Sequence, residues 1–113
     1  MSQNRQNCLK DFELISKLSV KLRKQVLKEL SKDDKYYRAL KEIARNTINK
    51  NIIPSDENKK KLKKFAEDII EIGSKTKHGP LKKQKLVVQS GGWIAYIIPA
   101  VITAISELLN GIQ

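Results

Sequence analysis

The 113-residue chain has one cysteine, one histidine and one tryptophan, and aromatic residues make up only 5 % of it. Each scarcity excludes something. A lone thiol, Cys8, forms no internal disulfide, so nothing ties the chain to an oxidising compartment, and Cys8 reads as a buried or idle side chain. A lone imidazole, His78 in "TKHGP", reads as a loop bystander, and without a Cys/His cluster there is no metal-ligand spacing. The five glycines form no phosphate loop, and the carboxylates lie scattered beside lysines. No catalytic constellation is visible, so the chain is read as a non-enzyme that uses neither cofactor nor metal. Few aromatics also argue against a β-sandwich and for an all-α fold. The opening "MSQNRQNCLKDF" has no apolar run, so a secretory signal peptide is not expected there.

The last quarter of the chain lacks charge. Residues 86–113 hold a single charged side chain, Glu107, whereas residues 59–85 hold ten basic and three acidic ones, within a formal net charge of +11. A body this basic attracts polyanions, nucleic acid first and anionic membrane second.

Helical periodicity organises the first two thirds. Leu9, Phe12, Ile15, Leu18, Leu22, Val26, Leu27 and Leu30 recur at steps of three and four, and Ser19 is placed to divide this stretch into two short helices. Ser31 and Asp34 look like a capping box for a third helix with Tyr36, Tyr37, Leu40, Ile43, Ala44 and Ile48 on its stripe. Because adjacent positions point about 100° apart, one tyrosine at most is expected centrally in the core. Pro54 and Ser55 open a helix over Asp56–Ile72, with Gly73 at its C′ position. "GSKTKHGPLKK" reads as a polar linker. The expected organisation is a basic helical body over 8–73, a flexible basic linker over 74–90 and an apolar helix over 91–113. Its fold is thus a small bundle of three or four amphipathic helices plus a separate apolar C-terminal helix.

Two lysine clusters carry the charge: Lys59, Lys60, Lys61, Lys63 and Lys64, then Lys75, Lys77, Lys82, Lys83 and Lys85. Like charges this close repel one another, and phosphates remove that cost. With few arginines and no stacking platform, binding would address phosphate and not base sequence. The closing segment, with Trp93, Tyr96, Ile97, Ile98, Pro99, Val101, Ile102, Ile105, Leu108 and Leu109, is a docking or membrane candidate of borderline spanning length. Pro99 and Glu107 count against a span, and burial in the protein's own core, membrane association and removal by processing stay open as alternatives.

The order of these features, short basic helices, "KKKLKKF", the junction "LKKQKLVVQSGGW" and then "IIPAVITAI", resembles the core protein X (mu-like) proteins of adintoviruses and related Polinton/Maverick elements. Lys82, Lys83, Leu86, Val87, Gly91, Gly92, Trp93 and Pro99 carry the resemblance, which is good over roughly residues 59–112 and rests on helix order before that. It implies a virion component that condenses double-stranded DNA, found in the virion and in the nucleus or cytoplasm of the infected cell. It also implies maturation by a viral cysteine protease, with Gly92–Trp93 as the candidate bond. The chain departs from the adenoviral protein in being rich in lysine and helical where that one is rich in arginine. The expected function is non-specific condensation of double-stranded DNA, with the apolar tail docking on capsid proteins or on a second copy. The alternatives are a membrane-active or membrane-anchored virion protein that uses anionic membrane, and a minor capsid protein.

Overall fold

The computed structural model describes the backbone over residues 3–112 and side chains over 7–105. Every regular element among them is helical. Ser19 does divide the first stretch, into α1 (Gln3–Ser16) and α2 (Val20–Leu30), and its hydroxyl accepts the Leu22 N–H at 3.3 Å. The cap of α3 (Asp34–Ile48) is Asp33, whose carboxylate accepts the Lys35 N–H at 3.1 Å. Ser31 is too early for that task. Its N–H still bonds the Leu27 carbonyl at 2.8 Å, so it closes α2 instead of opening α3.

The helix expected over Asp56–Ile72 is broken in two. α4 (Asp56–Leu62) starts at Ser55, whose hydroxyl accepts the Asn58 N–H at 3.2 Å. A 3₁₀ turn over Lys63–Phe65 follows, and then α5 (Ala66–Gly73). In a 3₁₀ turn positions i and i+3 eclipse, which sets Leu62 and Phe65 on one side while four lysines around them face water. Gly73 is the last residue of α5 and not a C′ residue. A Cβ there would stand 3.2 Å from the Arg45 nitrogen and 3.3 Å from the Ala44 carbonyl carbon, so its missing side chain lets α5 lie against the α3 backbone.

Half of the expected linker is also helix. α6 (Pro80–Gln89) begins with proline at its first position, where a fixed φ and a missing N–H cost nothing. Its buried Leu86 and Val87 face a body made by α2, α3 and α5. A 3₁₀ turn over Ser90–Gly92 leads into α7 (Ile94–Ile112), which runs on through the solvent-facing Pro99.

The core is centred on α3, which packs on α1, α5 and α6 at once. That three-sided contact is why Tyr36 and Tyr37 are both buried, against the expectation of one. Tyr36 meets Phe12 of α1 edge-on with centroids 5.9 Å apart and donates to the Asp11 carboxylate at 2.8 Å. Tyr37 turns to the opposite side, toward His78. Cys8 is buried, and burial pushes its thiol pKa up.

The apolar segment is part of this core and not a separate helix. Trp93 is 1 % exposed, Ile94 and Ile97 are 0 %, and Ile98 and Val101 are equally enclosed. Their three- and four-residue spacing makes one stripe, and α7 packs on α1 and α4. The Cα radius of gyration is 13.4 Å, and one domain of this length has about 13 Å, so body, linker and tail fold as one unit.

Candidate polyanion-binding surface

Each lysine of the first cluster is exposed, because Leu62 is the one position of the run that turns inward. Lys61 does have an acidic neighbour: its ammonium lies 3.5 Å from Glu57, one turn earlier, and 5.4 Å from the Tyr96 ring centroid. Among the described residues Lys59, Lys60, Lys63 and Lys64 have no ion pair. Lys59 and Lys63 also border an apolar groove with the exposed Ile53 and Ile70.

The second cluster does not hang on a tether. Lys82 pairs with Glu71 at 3.0 Å, and Lys83 donates to Asp34 at 2.9 Å, so α6 is clamped to α5 and α3 by charge as well as by apolar contact. The carboxylates record this. The hydrogen bond from Lys83, with one from Arg38, holds Asp34 below the usual carboxylate range, and Lys82 does the same for Glu71. Lys75, Lys77 and Lys85 remain exposed and without ion pairs among the described residues.

His78 is no bystander. Its imidazole is 5 % exposed, Nδ1 lies 2.5 Å from the Tyr37 hydroxyl, and Nε2 lies 4.0 Å from Glu71. The tautomer that suits both neighbours has the Tyr37 hydroxyl donating to Nδ1 and the Nε2–H turned toward the Glu71 carboxylate. Burial, followed by the charge of Lys41, lowers the His78 pKa, and the pull of Glu71 in the other direction is outweighed. Local sequence carries no sign of this contact, since Tyr37 lies 41 positions away. Lys41 escapes sequence reasoning for the same cause: it reaches the Ile72 and Thr76 carbonyls at 3.2 and 3.3 Å.

The docking candidates are drawn into the interior. Trp93, Ile97, Ile98 and Val101 are core residues, while Tyr96 and Ile105 are half-buried and Tyr96 stacks on Phe65 at 6.4 Å. Pro99 and Ile102 face solvent. Leu108 and Leu109 lie outside the described side chains. Among the described residues no single helix is long and apolar enough to cross a membrane. Segments Pro80–Gly92 and Ile94–Ile105 reach that length and hydropathy together, but they meet at 84°.

The candidate cleavage bond is tied into the fold as well. Gly92 sits in a 3₁₀ turn where a Cβ would come within 2.7 Å of the Phe65 ring, and Gly91 lies against Leu27. Arg23 donates to the Gly91 carbonyl at 2.7 Å and to the Leu18 carbonyl at 3.2 Å, locking the turn to the α1–α2 corner. Neither glycine has a positive φ. The pair allows close packing against Phe65 and Leu27, and in this fold the Gly92–Trp93 bond joins a half-buried glycine to a buried tryptophan. Among the described residues no three His, Cys, Asp or Glu side chains gather as a metal site.

No protein-family model, curated protein or solved structure matches the chain.

Proposed function

We propose that the protein binds duplex DNA through its phosphates, without reading base sequence, and condenses it as a virion core protein of a virus-like element. One observation carries the reading: Lys59, Lys60, Lys63, Lys64, Lys75, Lys77 and Lys85 are exposed cations with no ion pair among the described residues. Seven unpartnered ammonium groups on a 113-residue chain repel one another, and phosphates relieve that repulsion while releasing counterions. The resemblance to mu-like core proteins points to the same partner and to the virion as its place. The apolar segment adds stability to the binding body, since its buried stripe is already occupied by α1 and α4.

Affinity for unrelated duplexes of equal length should be the same and should fall steeply with salt. Engagement of about six phosphates gives a log–log slope on the order of −5. Replacing Lys59, Lys60, Lys61, Lys63 and Lys64 with Gln should weaken binding and flatten that slope with helicity retained, because Gln is a comparable helix former. A slope near zero, or a marked preference for one sequence, defeats the proposal.

A further inference from the structure

Three elements converge on a pocket of about 450 Å³. α3 supplies Tyr37 and Lys41, the segment between α5 and α6 supplies Lys75, Lys77 and His78, and α6 supplies Lys83. The two half-buried ammonium groups are held in place before any ligand arrives. Lys41 is oriented by two neutral carbonyls, which fix it without cancelling its charge. Lys83 bonds Asp34, a carboxylate it shares with Arg38 at 2.7 Å. Both ammonium groups lie near the Tyr37 ring, at 5.6 and 5.0 Å from its centroid. Lys75 and Lys77 are exposed at the rim and unpaired among the described residues. Glu71, which faces His78, is already engaged by Lys82. α6, ten residues long, also starts here with no side chain capping its first turn.

Positive charge therefore outnumbers negative charge inside a concavity. Burial, followed by the charges of Arg45 and Lys83, lowers the Lys41 pKa, the condition of a cation set among cations without a counter-charge. The volume falls in the range of small-molecule sites, about 300–1,000 Å³. A duplex backbone is a convex surface with one charge per phosphate and cannot fill it. Lysines act as rotatable point charges that bind phosphate oxygens, and four of them around one concavity suit a ligand group carrying two negative charges. Tyr37 is 5 % exposed and both ammonium groups lie beside its ring, which leaves little ring face for a base to stack on.

We propose that this pocket binds the phosphomonoester dianion of a small molecule, with Lys41 and Lys83 as inner donors and Lys75 and Lys77 as outer ones. The site shares Lys75 and Lys77 with the duplex-binding reading, but it rests on the pocket and not on affinity for DNA.

The test is a titration of the full chain with phenyl phosphate, followed by amide and imidazole NMR shifts, with phenyl sulfate and inorganic phosphate as comparisons at matched ionic strength. Saturable shifts confined to residues 37–41 and 74–83 are expected, with His78 as the single imidazole reporter. The singly charged sulfate ester should bind about tenfold more weakly, as should phenyl phosphate to Lys75→Gln/Lys77→Gln, whose melting temperature stays unchanged. Shifts spread equally over Lys59–Lys64, or equal affinity for the sulfate ester, overturn the site. Equal affinity for inorganic phosphate overturns the ester assignment. If duplex DNA binds with a steep salt slope while phenyl phosphate moves nothing in the pocket, the pocket fails and the polyanion reading stands. Saturable pocket binding without duplex affinity keeps the pocket and removes the polyanion reading.

Discussion

Lys50 is the one non-glycine residue with a positive φ among the described residues, at 63°. It follows the Asn49 cap of α3, its own N–H bonds the Thr47 carbonyl at 3.2 Å, and the Asn51 N–H bonds the Asn46 carbonyl at 2.8 Å. That is the paired bonding of a Schellman motif, in which glycine usually takes the position Lys50 occupies. A side chain in the left-handed region costs roughly 1–2 kcal/mol, while glycine loses about 0.5–1 kcal/mol more to unfolded-chain entropy. Lys50→Gly is therefore expected to stabilise the protein by about 0.5–1 kcal/mol, seen as a higher urea midpoint at unchanged m-value. The motif is illegible in the sequence because lysine carries no turn signal of its own. It emerges only because the "NIIP" stretch must double back from α3 before α4 can start.

At the scale of elements, the caps and breaks with a local chemical cause were readable. Ser19 and Ser55 stand at the helix starts the sequence marked, and the stripe of α3 is buried as far as Ala44, while Ile48 at its end is 44 % exposed. What local sequence could not supply was the identity of the partner face. An apolar stripe reads the same whether it meets lipid, another subunit or α1, so α7 looked detachable. Likewise "HGPLKK" holds both a breaker and a helix start, and only the burial of Leu86 and Val87 against α2 and α3 decides between them. The structure turns the α7 ambiguity into a prediction. Ending the chain after Gly92 removes Trp93, Ile94, Ile97, Ile98 and Val101 from the core. At about 1.5–3 kcal/mol for each side chain, the loss is on the order of 10 kcal/mol, comparable to the whole stability of a small domain. Residues 1–92 should show no cooperative thermal transition by circular dichroism. A sharp transition near that of the full chain would mean that α7 is dispensable to the body.

Across the whole molecule, acid sensitivity gathers where α3, α5 and α6 meet. His78 faces Tyr37 and Lys41 of α3, Glu71 of α5, and Lys82 and Lys83 of α6, and its folded pKa lies below the ordinary value of 6.5. The unfolded chain thus takes up a proton first as pH falls through 6.5, so this contribution to stability is complete above that point and declines below it until the folded form is also protonated. Asp34 and Glu71, both lowered, add a second loss once pH falls below their ordinary values of 3.8 and 4.5. Melting temperature should therefore begin to drop as pH falls through 6.5 and drop again below about pH 4.5. His78→Gln should flatten the first drop and leave the second, as read from thermal melts across that range. The packing of α1 on α7 has a further consequence, for the newborn chain. α1 is complete at Ser16, yet the residue that closes the stripe on it, Val101, is added 85 positions later. At ribosomal speeds of about 5–20 residues per second, the side of α1 that packs on α7 waits roughly 4–17 s for that cover. During that interval the nascent chain offers an open apolar seat beside a dense field of lysines, a combination that invites both chaperones and nearby RNA.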